Sequence, residues 1–205
     1  MCIRDSPQLM SLARPMTYGL FFTLTIAFAA LFYLFAVNDF SVQYVVNNSN
    51  RSLPIYYRLS AVWGSHEGSL LLWIWLLTLW GAAVALFSKH LPQEAVARVL
   101  GIMGIISIGF LLFVLFTSNP FTRTFPDFPV DGRELNPMLQ DVGLIFHPPL
   151  LYMGYVGFSV AFAFAIASLM TGKLDSAWAR WSRPWTIAAW VFLTCLLYTS
   201  DAADE

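Results

Sequence analysis

Four long runs of uncharged, apolar residues dominate this 205-residue sequence. They cover residues 17–37, 69–88, 99–117 and 148–171, and a fifth run extends over 184–194. A helix needs about 20 apolar residues to cross about 30 Å of hydrocarbon, and each of the first four runs has about that length. None of them shows the alternation of apolar and polar residues that marks the strands of an outer-membrane barrel. We therefore predict an all-α, polytopic membrane helical bundle with four full spans and a truncated fifth.

The composition supports a chain that is solvated partly by lipid. Hydrophobic residues make up 58% of the sequence and charged residues only 11%, whereas a soluble domain carries about 25% charged residues. The net charge is -1 and no basic cluster is present, which excludes nucleic acid as a partner. The lipid bilayer is therefore the first partner that the sequence predicts.

The ends of the sequence differ in character from the rest. Residues 1–6 and 195–205 resemble translated adapter sequence, and we predict that both are non-native. The two cysteines, Cys2 and Cys195, lie in these segments. They form no CxxC, CxxCH or zinc-binding spacing, so the chain is not itself a c-type cytochrome.

The distribution of Lys and Arg predicts the orientation. Segments 7–16, 89–98 and 172–183 together carry six cations, whereas the much longer segments 38–68 and 118–147 carry four cations and six acidic residues. The first set is predicted to be cytoplasmic. The two long loops then face outward, and their many aromatic residues predict that they pack rather than remain disordered.

His147 directly precedes two consecutive prolines, Pro148 and Pro149. A residue before proline is disfavoured in the α region, and proline is well suited to the first position of a helix. We therefore predict that His147 occupies the N-cap of the fourth span, or a position near it, at the outer interface. Neutral imidazole is a common axial haem ligand, and Phe146 and Tyr152 are suited to flank a flat macrocycle. The alternative is a histidine that binds the amides of the helix start at the headgroup level.

A second candidate pair, His66 and Glu67, lies at the outer start of the second span. Ionisable residues at the edge of an apolar zone are candidates for function. A structural explanation also suffices, because Glu67 is favoured at the positive end of a helix that Ser65 or Ser69 can cap. Trp63 fits an interfacial aromatic belt.

Three strings in this sequence resemble one family. They are WGSHEGSLLLW (63–73), LLFVLFTSNPF (111–121) and GRELNPMLQDVGLIFHPPLLYMGYVGFSVAFAFA (132–165). All three resemble the CcmF family, the haem lyase membrane subunits of cytochrome c maturation. The resemblance extends from about residue 12 to 194, so residues 7–194 are similar to the N-terminal part of the family's polytopic membrane domain.

The resemblance implies a role at the bacterial inner membrane. Family members receive haem from a periplasmic haem chaperone and join it to the CxxCH thiols of apocytochrome c, which partner maturation subunits present. His147 matches the first of two outward-facing histidines that hold haem, so the resemblance implies that it ligates the iron of haem b. His66, Glu67, Tyr152 and Trp63 are secondary candidates for the same site. The second outer ligand, a tryptophan-rich loop and two membrane histidines of the family fall outside this sequence, so we expect no haem attachment by this segment alone.

Two alternatives to haem attachment are a transport component and a passive scaffold. In the transport hypothesis, the helices form a haem or proton path that His66 and Glu67 gate. The absence of charge from the predicted spans weighs against a proton relay. The sequence contains no nucleophile–base pair, phosphate-binding loop or carboxylate dyad, so we predict no catalytic residue.

Overall fold

A computed structural model describes residues 7–124, 126, 128–172 and 176–201 of the chain. The predicted non-native segment 1–6 and residues 202–205 of the second one lie outside the described residues. Elsewhere in the second segment, the chain is helical as far as Asp201. The non-native origin of residues 1–6 and 195–205 stays a prediction.

The described residues form seven α-helices joined by loops and two 3₁₀ turns. The helices are α1 (Pro7–Val37), α2 (Gln43–Asn48), α3 (Ile55–Ser60), α4 (His66–Phe87), α5 (Gln93–Phe116), α6 (Val142–Thr171) and α7 (Ser176–Asp201), and the turns are Ala61–Trp63 and Pro137–Leu139. The β-structure within the described ranges is a single isolated antiparallel bridge between Val42 and Arg123. The prediction of an all-α bundle is therefore confirmed.

Four of these helices are long and apolar enough to cross a membrane: α1 from Gln8 onward, α4, α5 and α6. They correspond to the four predicted spans, and each helix begins before the predicted apolar run. The predicted fifth run lies inside α7, which begins earlier, at Ser176, and includes Arg180 and Arg183 near its start.

The prediction that the fourth span begins at Pro148 is wrong. Helix α6 begins at Val142, so both prolines lie inside it. The start is set by Asp141, whose carbonyl accepts the Leu144 N–H at 3.1 Å and whose carboxylate accepts the Gly143 N–H at 3.4 Å. An aspartate in this position is a favourable N-cap, so the helix is initiated well before the prolines.

The chain divides into two compact units, of which unit 1 comprises Met1–Leu24, Trp75–Gly109 and Leu150–Glu205. In unit 1, α6 packs closely against α4 and α7 at Gly157. A Cβ atom there would lie 2.7 Å from the Ala189 Cβ and 2.9 Å from Cζ2 of Trp80. The Trp80 indole donates a hydrogen bond to the Met153 carbonyl at 3.1 Å. Gly157 therefore lies on a closely packed face of α6.

Unit 2 comprises Thr25–Ile74 and Phe110–Pro149. Its two long loops, residues 38–65 and 117–141, pack on each other, and we refer to them together as the loop layer. Backbone hydrogen bonds join the two loops from Gln43 N–H to Thr122 O at 2.9 Å and from Arg133 N–H to Val46 O at 2.7 Å. The layer has its own buried apolar core, formed by Phe40, Val42, Tyr44, Val45, Val46, Leu53, Ala61, Val62 and Leu135. The prediction that these loops pack is confirmed.

The end of α1 leads the chain into the loop layer through a tight turn. Asn38 has a φ of 54°, a left-handed conformation that asparagine tolerates better than most residues. The Asp39 N–H donates to Leu34 O at 2.9 Å, and the Arg58 guanidinium donates to Ala36 O at 3.1 Å. A cation is favoured at a helix C-terminus, so Arg58 of the loop layer stabilises the end of α1.

Candidate functional site

His147 lies in the second turn of α6, and its side chain is exposed. Its backbone is helical, so the predicted extended N-cap conformation is wrong. Among the described residues, the imidazole makes no hydrogen bond or ion pair. A helix restricts the rotamers of its side chains. His147 therefore offers both ring nitrogens to a ligand from a defined position.

Trp63 lies against the turn of α6 that carries His147. Proline has no N–H, so Pro148 leaves the carbonyl of Leu144, four residues earlier, without its helical partner. The Trp63 indole donates to this carbonyl at 2.8 Å. Its ring also packs edge-on against Phe32, with the ring centroids 5.7 Å apart. The structure therefore assigns Trp63 a specific bond in addition to its predicted interfacial packing.

Helix α4 begins at His66, and the segment before it folds back on itself. The Ser69 N–H donates to Ser65 O at 3.0 Å, so Ser65 occupies the N-cap position. The Ser69 hydroxyl instead donates to Trp63 O at 2.8 Å. Of the two predicted caps, Ser65 is therefore correct, and Ser69 fixes the backbone of Trp63.

The side chains of His66 and Glu67 are in contact at the first turn of α4. The distance from His66 Nδ1 to Glu67 Oε2 is 3.3 Å, and the side chains are 67% and 27% exposed, respectively. Apart from this pairing, Glu67 Oε2 is buried and accepts no hydrogen bond from the described residues. The carboxylate is thus well placed to hold the exposed imidazole in one orientation, while the positive helix start favours its charge.

Tyr44 is a buried residue of this region that the sequence reasoning did not identify. Its hydroxyl donates to Val62 O at 3.0 Å and accepts the Ser65 N–H at 3.3 Å. Burial raises the pKa of the Tyr44 phenol, and the Glu67 charge acts in the same direction, whereas the Ser65 N–H acts against both. Tyr44 lies about 20 residues before the start of α4, in the same loop, and no local motif indicates its contact with the segment before α4.

The structure brings four of the five predicted site residues into unit 2: His147, His66, Glu67 and Trp63. Tyr152 is half-buried and belongs to unit 1, and its role at the site stays a prediction. No group of three His, Cys, Asp or Glu side chains in the described residues could hold a bare metal ion. A haem iron, unlike a bare metal ion, can be held by a single histidine from one part of a protein. The exposed imidazole of His147 is suited to that role.

The exposed surface beside His147 also suits a flat apolar ligand. Phe146 is 60% exposed and Val142 is 59% exposed. Both side chains belong to the candidate span Val142–Thr171, where exposed apolar groups are suited to contact lipid or a flat apolar molecule. The donor and its apolar neighbours therefore fit a haem.

A separate cavity of about 430 Å³ lies in unit 1, near the start of α5 and the end of α6. Arg98, Trp178 and Trp181 contribute to its lining, and Arg98 is paired with Glu94. None of the predicted site residues lines it, so it does not form part of the candidate site.

Comparison with known proteins places the chain in a family. The family described as "Cytochrome C assembly protein" matches residues 63–199. The chain is 90% identical over 191 residues to the cytochrome c-type biogenesis protein CcmF of Haemophilus influenzae, covering 93% of this chain and 30% of that protein. The protein of the same name from Escherichia coli is 62% identical, also over 93% of this chain and 30% of its own length.

A solved structure, "Cytochrome c Heme Lyase CcmF", has the same fold over most of this chain. The TM-score is 0.77 at 29% sequence identity, and the match covers 94% of this chain and 30% of the solved one. This chain thus spans about 30% of the length of these relatives. The match by sequence and by fold confirms the predicted family: the chain belongs to the CcmF family of cytochrome c-type biogenesis proteins.

Proposed function

We propose that this segment supplies one axial ligand, His147, to a haem-binding site used in cytochrome c maturation. The observation that carries the proposal is an exposed imidazole with no protein partner among the described residues, on a helical turn that Trp63 bonds at 2.8 Å. Neutral imidazole binds haem iron through a ring nitrogen. His66, paired with Glu67, is a secondary polar contact for the same ligand.

The haem in this proposal is haem b before its covalent attachment. When bound, it supplies the vinyl groups that the two CxxCH thiols of apocytochrome c join as thioethers. In this segment, His147 would hold the iron and Phe146 would offer an apolar contact to the macrocycle. A fixed ligand restricts how the haem presents its edge, which is how a protein orients a cofactor for reaction.

The proposed setting is the bacterial inner membrane, with the loop layer facing the periplasm. The excess of Lys and Arg in the opposite connections supports this orientation. The loop layer exposes Val130, 82% accessible, and Tyr56, 54% accessible. Such surfaces suit the proposed partners, namely a periplasmic haem chaperone and the subunits that present apocytochrome c.

The haem lyase activity is proposed for the full-length protein, because this chain spans about 30% of its relatives. The test uses a chimera in which this segment replaces the matching segment of the H. influenzae relative. We expect His147→Ala to remove the haem bound at the loop layer and to lower the yield of holocytochrome c by at least tenfold. Absorption spectra of the purified chimera measure the first effect, and haem staining of cell extracts measures the second.

The matched control is His90→Ala, which removes another exposed histidine from the opposite connection. It should leave haem content and cytochrome yield unchanged. Normal spectra and normal yield with His147→Ala would refute the proposed ligand.

A further inference from the structure

We infer that Trp63 is a positioning residue for His147, and that its indole takes the place of the backbone N–H that Pro148 lacks. The inference rests on the proposed function, because it assigns a role toward the same ligand. It links the two sequence strings that contain Trp63 and His147, which are far apart in the chain, through one hydrogen bond.

The first step concerns the backbone of α6. Two consecutive prolines, Pro148 and Pro149, stand inside the helix, so the carbonyls of Leu144 and Ile145 have no N–H donor four residues ahead. Leu144 is buried, where a carbonyl without a donor is costly. Helices kink or open at such positions when nothing replaces the bond.

The second step concerns the donor. The Trp63 indole nitrogen lies 2.8 Å from the Leu144 carbonyl oxygen. Because an indole N–H can only donate, Trp63 is the donor and Leu144 the acceptor. The donor is held from two sides, since its own carbonyl accepts the Ser69 hydroxyl at 2.8 Å and its ring meets Phe32. The indole N–H therefore takes the place of the missing backbone donor to Leu144 O, and it stabilises the helical turn that the prolines would otherwise loosen.

The third step concerns His147. It lies between Leu144, whose carbonyl accepts the Trp63 indole, and Pro148, which has no N–H to donate to that carbonyl. Any movement of this turn displaces the imidazole directly. The bond to Trp63 therefore sets the direction from which His147 reaches a haem iron, although Trp63 itself need not touch the haem.

The test is a double-substitution cycle in the full-length chimera. Trp63→Phe keeps an aromatic ring and removes the donor, and we expect haem retained at His147 to fall on the order of tenfold, with a shifted absorption band and midpoint potential. Adding Pro148→Ala to Trp63→Phe supplies a backbone N–H to Leu144 O. We expect the double variant to regain most of the haem and the original potential. Trp190→Phe, which changes an exposed tryptophan of α7, is the control and should have no effect.

Two results would overturn the inference: an unchanged haem potential and content in Trp63→Phe, or a double variant as deficient as Trp63→Phe alone. Failure of the proposed function is recognised separately, because His147→Ala would then retain its haem. Rescue by Pro148→Ala distinguishes positioning from packing, since the alanine restores a donor but not the indole.

Discussion

Gly68 lies where the first turn of α4 meets the backbone of the loop layer. A Cβ atom at this position would lie 1.7 Å from Val62 O and 2.5 Å from the Tyr44 hydroxyl oxygen. Because the nearer atom belongs to the backbone, no side-chain rotation relieves the clash. We expect Gly68→Ala to destabilise the protein by about 3 kcal/mol, measured as a lower thermal midpoint of the chimera in detergent.

Gly19 provides the control for this substitution. A Cβ there meets nothing within 4 Å, so Gly19→Ala should leave the midpoint unchanged or raise it slightly, as alanine favours helix. Equal midpoints for the two variants would show that the start of α4 does not lie against Val62.

Tyr44 makes the stability of the loop layer depend on pH in the alkaline range. Burial, with a smaller contribution from Glu67, raises the pKa of the phenol above its ordinary value of 10.0. The unfolded chain releases this proton near pH 10 while the folded chain keeps it, so stability is complete below that pH and falls as the pH rises. Unfolding midpoints between pH 8 and about 11 should decline less steeply in Tyr44→Phe than in the parent, and parallel curves would contradict this assignment.

At the level of single residues, the sequence was informative about exposure and uninformative about partners. His147, His66 and Glu67 border apolar runs, and ionisable groups at such borders remain near solvent; His147 and His66 are exposed. The contact of Tyr44 with the segment before α4 joins residues about 20 positions apart through a folded loop. No periodicity or spacing encodes such a contact.

The start of α6 shows why an element's boundary can be misjudged. Proline favours the first position of a helix, which made Pro148 the expected start. Asp141 is visible in the sequence as an alternative cap, but choosing it requires a donor for the carbonyl that Pro148 frees. That donor, the Trp63 indole, comes from a position 81 residues away, so local rules favoured the wrong start.

The contact of α6 with α7 and α4 depends on the small residue at position 157. A Cβ on Gly157 would lie 2.7 Å from the Ala189 Cβ and 2.9 Å from the Trp80 ring, and these neighbours come from two different helices. We expect Gly157→Ala to cost about 1–3 kcal/mol, because neither neighbour can withdraw without shifting its helix. The thermal midpoint of the chimera measures the loss.

Gly104→Ala is the matched substitution within α5, since a Cβ there meets nothing within 4 Å. Its midpoint should equal that of the parent. If Gly157→Ala proved as stable as Gly104→Ala, the close approach of these helices would be refuted.

For the whole molecule, the thickness of a bilayer made the membrane spans predictable from the sequence. The arrangement of the loops could not be predicted in this way. An apolar run of about 20 residues has few alternatives to a membrane helix, and each of the four predicted runs coincides with a candidate span to within one residue at its end. The loop layer depends on backbone pairing such as Gln43 with Thr122 and Val42 with Arg123. The sequence predicted that these loops pack, but their pairing depends on contacts between separate loops.

The orientation of the molecule is the property on which the proposed haem site most depends, because the periplasm is where the proposed partners meet it. The charge asymmetry predicts that Val130, 82% exposed in the loop layer, faces outward and that Lys89, exposed between α4 and α5, faces the cytoplasm. In a chimera in which Cys2, Cys195 and every cysteine contributed by the relative are replaced by serine, Val130→Cys should react with a membrane-impermeant maleimide applied to intact spheroplasts. Lys89→Cys should react only after the membrane is permeabilised. The reverse pattern would place His147 on the cytoplasmic side, where a periplasmic chaperone cannot deliver haem to it.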